Sequence, residues 1–269
     1  MPSPARELDR TVIAALRDDP ARTAVLTDVD GTLAPIAARP EEAAVPAGAT
    51  EALAGLSERF GLVGCVSGRR AEEARRLVGV EGIAYAGNHG LELMLPGDDA
   101  PRLDPSLQGR ERDAAEFVAA LEQEEMAKVG LRLEDKGPIQ ALHWRGAPDE
   151  SAAEAHAREI AASAGRAGLE PHWGRKVVEL RPAGGGGKDS AVAALLASGP
   201  ITAAIYAGDD RTDLDAFRRL RELHARGELQ TAICVGVTSA EAPPELAEES
   251  DLRVDGPAGW LEILESLAP

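Results

Sequence analysis

The chain has 269 residues, 44 % hydrophobic but only 3 % aromatic, enough for one large domain or two smaller ones with cores of aliphatic side chains. A formal net charge of −17 argues against nucleic acid and anionic membrane surfaces as partners. No apolar run could serve as a signal peptide or a membrane span, and Cys65 and Cys234 sit in strand-like runs as buried, reduced thiols, so a soluble cytoplasmic protein is expected.

The first predicted element is a strand over 23–28, which runs into Thr27-Asp28-Val29-Asp30-Gly31-Thr32-Leu33. Two like charges at the end of a buried strand repel each other and are costly to desolvate, so a bound cation is their natural partner, and oxygen-only ligands suit Mg2+. A strand followed by an Asx turn gives the same pattern without a metal. An EF-hand loop does not fit, since it needs Gly at its sixth position and a closing Glu. Next come a helix over 48–59, a strand over 62–66, a helix over 69–78 and a strand over 82–86.

The middle third changes character. A helix is predicted over 109–129, with Ala114, Phe117, Val118 and Leu121 on one stripe. Leu131 to Lys136 and Ile139 to Arg145 flank Gly137-Pro138 as an antiparallel hairpin. A helix over 149–164 and short strands near 169–173 and 176–181 complete an αββαββ pattern, read as a second domain over 97–177 inserted into a first over 1–96 and 178–269. Thereafter helices over 188–198, 211–226 and 258–267 alternate with strands over 202–207 and 232–237. The fold class is therefore α/β, a parallel sheet with helices on both faces and an inserted domain. In such sheets ligands bind beyond the carboxyl ends of the strands. Polar clusters stand there repeatedly: Asp28 and Asp30, Ser67-Gly68-Arg69, Asn88-His89, and Asp209-Asp210.

That set suits attack on a phosphomonoester, which is slow because a nucleophile must approach a dianion. Asp28 can attack phosphorus and form an aspartyl-phosphate. Asp30 can protonate the leaving oxygen and later take a proton from water. Asp209 can complete a carboxylate set for Mg2+ with Asp28 and Asp30, Ser67 can donate to a phosphoryl oxygen at a helix start, and Lys188 supplies a fixed positive charge. Singly, each has a plainer role: Ser67 or Asp209-Asp210 as a helix cap, Lys188 as a solvated lysine. Gly184 to Lys188 is not a P-loop, because the motif's first Gly would fall on Pro182 and Asp189 stands where the hydroxyl belongs.

Asp28-Val29-Asp30-Gly31-Thr32-Leu33, Ser67-Gly68-Arg69, Lys188 and Gly208-Asp209-Asp210-Arg211-Thr212-Asp213 resemble the four motifs of the haloacid-dehalogenase superfamily of phosphohydrolases. Gly87 to Glu92, Leu133 to Gly137, Leu142 to Arg145 and Val177 to Pro182 narrow the resemblance to trehalose-6-phosphate phosphatases. The resemblance implies a Rossmann-like core, an α/β cap of the C2 type that closes over the sugar, Mg2+, and Asp210 and Asp213 supporting the metal. It implies a sugar-phosphate substrate made by a separate synthase, contacted by Arg69, Asn88, His89, Glu92, Glu134, Lys136, His143, Arg145 and Glu179. His143 and Arg145, two apart, share one face if the strand includes both. A surface salt-bridge ladder would use the same residue types. The sequence departs from the family pattern at Leu214, where Glu is usual, and at Asp189, where Gly is usual. Sucrose 6-phosphate, glucosyl- or mannosyl-phosphoglycerate, or a non-catalytic sugar-phosphate module are the alternatives to trehalose 6-phosphate hydrolysis.

Overall fold

The structure is a computed structural model that describes residues 13–268 apart from 38 and 241. It divides into two compact units, one holding the chain up to Arg102 and from Gly186 onward, the other Leu103–Gly185.

The first unit is built on an eight-stranded sheet. In chain order its strands are β1 (Thr23–Thr27), β2 (Leu62–Val66), β3 (Ala84–Gly87), β4 (Glu92–Met94) and β5 (Arg102–Leu103), then β10 (Ala203–Gly208), β11 (Thr231–Thr238) and β12 (Leu252–Asp255). Their spatial order is β12-β11-β10-β1-β2-β3-β4-β5. The six strands from β12 to β3 are parallel, and β4 runs antiparallel to β3. Every residue of β1 and of β2 is buried, as a near-continuous apolar strand must be when helices cover both faces. One face packs against helices Ala47–Ser57, Ala71–Val78 and Gly256–Leu267 through Leu53, Leu56, Ala74 and Trp260. The other packs against helices Lys188–Leu196 and Asp213–Ala225 through Val192, Leu195, Phe217 and Leu220. Cys65 lies in the first layer and Cys234 in the second, both buried and free.

From β1 the chain steps outward to β2 and β3, and it later returns to β10 on β1's other side before stepping outward the opposite way. The carboxyl ends of β1 and β10 therefore flank the topological switch point, where such sheets open a crevice.

The second unit is a four-stranded antiparallel sheet, β6 (Arg132–Asp135), β7 (Gln140–His143), β8 (Leu169–Gly174) and β9 (Val177–Pro182), in the order β6-β7-β9-β8. Helices Asp113–Ala119 and Glu150–Arg166 cover one face around Leu142, Val178, Leu180, Ala157 and Ile160. The other face carries Glu134, Glu179 and His172 in one cross-strand row.

Several sequence expectations change here. The predicted boundary at 177/178 moves to Gly185, because β9 pairs with β7 and β8. The predicted helix over 109–129 is two, Asp113–Ala119 and Gln123–Lys128. Glu122 turns to extended ψ, and the Gln123 amide takes the Val118 carbonyl that the next helical turn needs. Strand β7 stops at His143, so Arg145 lies in the following turn and its guanidinium reaches the Arg175 carbonyl. Strands β4 and β12 and the helix Pro244–Glu249 were not predicted. None of the described helices is long and apolar enough to cross a membrane.

Candidate active site

Strand β1 delivers Asp28 to its carboxyl end, where the Asp28 N–H makes a last ladder bond to the Ala207 carbonyl at 2.8 Å. The side chain is buried, and its Oδ1 lies 2.9 Å from Lys188 Nζ. Lys188 opens the helix Lys188–Leu196 and is 3 % exposed, which removes the solvated-lysine reading. Its ammonium also meets Asp213 Oδ1 at 2.7 Å and Asp210 Oδ1 at 3.9 Å. Burial alone would strip its proton, but Asp213, Asp28 and Asp210 hold its pKa well above the ordinary value, so it stays charged.

Asp28, Asp209 and Asp213 bring one carboxylate oxygen each within 4.8 Å of one another. Two glycines make room for this. A Cβ on Gly31, whose φ is +93°, would stand 2.1 Å from Asp209 Oδ2, and one on Gly208 would stand 2.2 Å from the Asp213 carboxyl carbon. Asp213 is already fully used as an acceptor. Its Oδ1 takes bonds from Lys188 and the Tyr206 hydroxyl, and its Oδ2 from the backbone N–H groups of Asp209 and Asp210. It organises the cluster and leaves Asp28 and Asp209 as the open carboxylates.

With all groups ionised, Asp28, Asp209, Asp210 and Asp213 set four negative charges against the single ammonium of Lys188. The imbalance shows in their proton affinities. Burial first, then Asp213, Asp209 and Asp210, raise the Asp28 pKa well above the carboxylate range, with Lys188 opposing. Burial and the Asp213 charge push Asp209 to about 7, although Thr32 donates to its Oδ1 at 2.9 Å. Asp210 goes the other way, to about 2, because Lys188 and Thr212 outweigh its burial. Its Oδ1 accepts from the N–H groups of Thr212 and Asp213 and so ties the first turn of the helix Asp213–Ala225. A buried, oxygen-only donor set in carboxylate excess fits Mg2+.

The expected ligand set was Asp28, Asp30 and Asp209 with Asp213 behind it; the structure gathers Asp28 and Asp209 with Asp213 beneath them and turns the Asp30 side chain away. The Asp30 carboxylate points to Arg69, which grips both its oxygens, at 2.7 Å each. Ser67 is buried and accepts from the Arg69 N–H at 3.1 Å, so it shapes its own turn and does not cap the helix Ala71–Val78. Glu92 supplies that acceptor to the Ala71 N–H at 2.8 Å, and also takes a bond from the Asn88 amide. Asn88 and Glu92, expected to meet substrate, are 0 % and 2 % exposed, and they brace the backbone under the site. Both Asn88 and His89 have positive φ, and a Cβ on Gly68 would stand 2.7 Å from the His89 ring, so that ring lies against the Ser67-Gly68-Arg69 turn. Leu214 is core, among the side chains packed with Phe217, and Asp189 pairs with Arg219 at 3.5 Å.

On the polar face of the second unit, Glu179 is held by Lys136 at 3.0 Å and by both nitrogens of the Arg181 fork, the closer at 2.6 Å. Glu134 meets His143 Nε2 at 2.7 Å, and that bond, ahead of its part burial, lowers its pKa. Arg181, Tyr206 and Thr32 were not singled out from the sequence. Tyr206 reads there as a core aromatic, and Thr32 and Arg181 sit inside motifs whose charged neighbours drew the attention.

The family model for trehalose-phosphatase matches residues 26–255. The chain belongs to the trehalose-phosphatase family. It is thereby an enzyme of the phosphoric monoester hydrolase class. A probable trehalose-phosphate phosphatase of Sinorhizobium fredii is 35 % identical over 253 residues, covering 91 % of each chain. A trehalose-phosphate phosphatase of Mycolicibacterium paratuberculosis is 36 % identical over 210 residues, 74 % of this chain and 51 % of that one. Among solved structures, a trehalose-6-phosphate phosphatase related protein matches with TM-score 0.68 and 27 % identity, covering 90 % of this chain and 95 % of that one. The C-terminal domain of the C. albicans trehalose-6-phosphate phosphatase has the same fold, with TM-score 0.71 at 21 % identity over 96 % of each chain. The architecture is that of the haloacid-dehalogenase phosphatases.

Proposed function

We propose that the protein hydrolyses trehalose 6-phosphate to trehalose and inorganic phosphate with Mg2+, through an aspartyl-phosphate on Asp28. The observation that carries the reading is the Asp28 carboxylate, buried at the switch point and held by an ammonium that Asp28 itself, Asp213 and Asp210 keep charged.

Asp28 and Asp209 would hold the Mg2+, with Asp213 fixing their surroundings. When bound, the ion offsets repulsion between Asp28 and the phosphate. Lys188 aims one oxygen of Asp28, leaving the carboxylate oriented for in-line attack on phosphorus. As that bond forms, the bond from phosphorus to the sugar oxygen breaks, and Asp30 gives its proton to that oxygen. In the second step Asp30 takes a proton from water, the water oxygen attacks phosphorus, and inorganic phosphate leaves Asp28.

Arg69 makes this sequence depend on substrate. Its fork holds the Asp30 carboxylate by one bond to each oxygen and so fixes where that carboxylate points. A phosphoryl dianion competes for the same fork. Drawing Arg69 onto the phosphate frees the Asp30 side chain to turn toward the leaving oxygen. Sugar recognition is assigned to the polar face of the four-stranded sheet, where Lys136, Glu134, His143 and Glu179 offer fixed donors and acceptors. Arg145, in the turn beyond β7, contributes from the rim.

The test is phosphate release from trehalose 6-phosphate, sucrose 6-phosphate, glucose 6-phosphate and glucosyl-phosphoglycerate, with Mg2+ and with chelator, and with Asp28→Asn as the blank. Preference for trehalose 6-phosphate that chelator abolishes is the expected result. A flat panel removes the substrate assignment, and no release at all leaves a sugar-phosphate binding module.

A further inference from the structure

We infer that Trp260, on the C-terminal helix and 232 positions from Asp28 in sequence, is a positioning residue for the nucleophile, acting through the Thr27 hydroxyl. The Trp260 indole N–H donates to Thr27 Oγ1 at 3.0 Å, and Thr27 Oγ1 donates to the Asp28 carbonyl at 2.8 Å. Both side chains are 0 % exposed. An indole nitrogen only donates, so Thr27 must receive with a lone pair, and its single proton is committed to the Asp28 carbonyl. The direction of the relay is thus fixed by chemistry and needs no assignment of hydrogens.

The place of the relay gives it a purpose. Asp28 is where the parallel ladder ends: its N–H still bonds to β10, while its carbonyl enters the turn toward Asp30. A buried carbonyl without a partner is costly, and one free to rotate would carry the carboxylate with it. The relay fixes that carbonyl, as β10 fixes the N–H and Lys188 fixes the side chain. Packing alone does not explain an indole here. The other buried side chains of the helix Gly256–Leu267 are Ile263, Leu264 and Leu267, and a phenyl ring would fill space without bringing a polar group that has to be satisfied.

The inference rests on Asp28 as nucleophile, so its test separates the two. Thr27→Val, which keeps the shape, and Trp260→Phe are measured singly and together on trehalose 6-phosphate and on p-nitrophenyl phosphate. Each is expected to lower kcat about 10-fold with KM unchanged, since the relay aims a catalytic group and touches no substrate. The double variant is expected to lose no more than either single, and Thr27→Ser to restore the rate. Kcat within about 2-fold of the parent in Thr27→Val, or losses that multiply in the double variant, overturn the relay. Should Trp260→Phe fail to fold, the Thr27→Val and Thr27→Ser pair decides alone. Turnover retained by Asp28→Asn would remove the nucleophile assignment and the relay with it. An inactive Asp28→Asn beside a fully active Thr27→Val removes only the relay.

Discussion

At the ends of β1 and β10 four carboxylates share one ammonium, whereas on the polar face of the four-stranded sheet each carboxylate has its own donor: Lys136 and Arg181 for Glu179, and His143 for Glu134. The first arrangement is incomplete in charge and buried, so it calls for an ion. The second is balanced in charge, so it calls for no ion and offers its donors and acceptors already in place. Under the proposed function, the first region acts on the phosphate and the second on the sugar.

Variants at the buried cluster should therefore damage every substrate alike. Asp28→Asn is expected to lower kcat by at least about 10³-fold on both trehalose 6-phosphate and p-nitrophenyl phosphate, with an unchanged circular dichroism spectrum. Turnover of either would break the division. Gly31→Ala drives a methyl into Asp209 from a backbone that disfavours it, and should cost about 10²-fold on both substrates while lowering Mg2+ affinity, measured by calorimetry. Lys136→Ala belongs to the other class. It should raise KM for trehalose 6-phosphate about 10-fold, the loss of one charge-assisted hydrogen bond, and leave p-nitrophenyl phosphate untouched. Equal damage to both substrates would erase the distinction between the two regions.

The smallest effect is on pH. Asp209 has an ordinary pKa of 3.8 and one of about 7 in the fold, so the metal-free protein binds a proton there that the unfolded chain gives up. That contribution is complete below 3.8 and is lost as pH rises through 7. Melting of the chelator-treated enzyme should accordingly fall between about pH 4 and 7 and level off above, and the stabilisation by added Mg2+ should grow over the same range, since the ion needs the bare carboxylate. A Mg2+ effect that shrinks with pH would place the ion elsewhere.

The buried cluster was legible in the sequence because buried charge is rare and demanding: Asp28, Lys188 and Asp209 have no comfortable role in an apolar strand end or helix start except together. The partition of roles was harder to read. Spacing puts Asp28 and Asp30 near each other, but the turn at Gly31 and the reach of Arg69 from the loop after β2 decide where Asp30 points. Likewise Asp213 was expected behind the metal, but that it folds back under Asp209 and takes four hydrogen bonds depends on the helix start. Asn88 and Glu92 have the polarity of ligands, yet the backbone needs them as braces. On the second unit the residue types were visible but ambiguous, since glutamates beside lysines and arginines occupy any solvated sheet. Only β9's pairing shows Glu179 clamped from two sides.

The strand at the centre of the first unit pairs with two neighbours of very different origin. Ala24 meets Leu62 in β2 after 38 positions, but Thr23 meets Ala203 in β10 only after 180. During synthesis β1 leaves the ribosome with one edge bare, and the entire inserted unit must emerge before that edge is covered. Long-range parallel pairing is slow, and an uncovered apolar strand is an aggregation hazard while it waits. Asp28 and Asp209 come together only once β10 has paired with β1. A nascent or truncated chain carries Asp28 without Lys188 or Asp209, and the buried carboxylate cluster exists only once the sheet has closed.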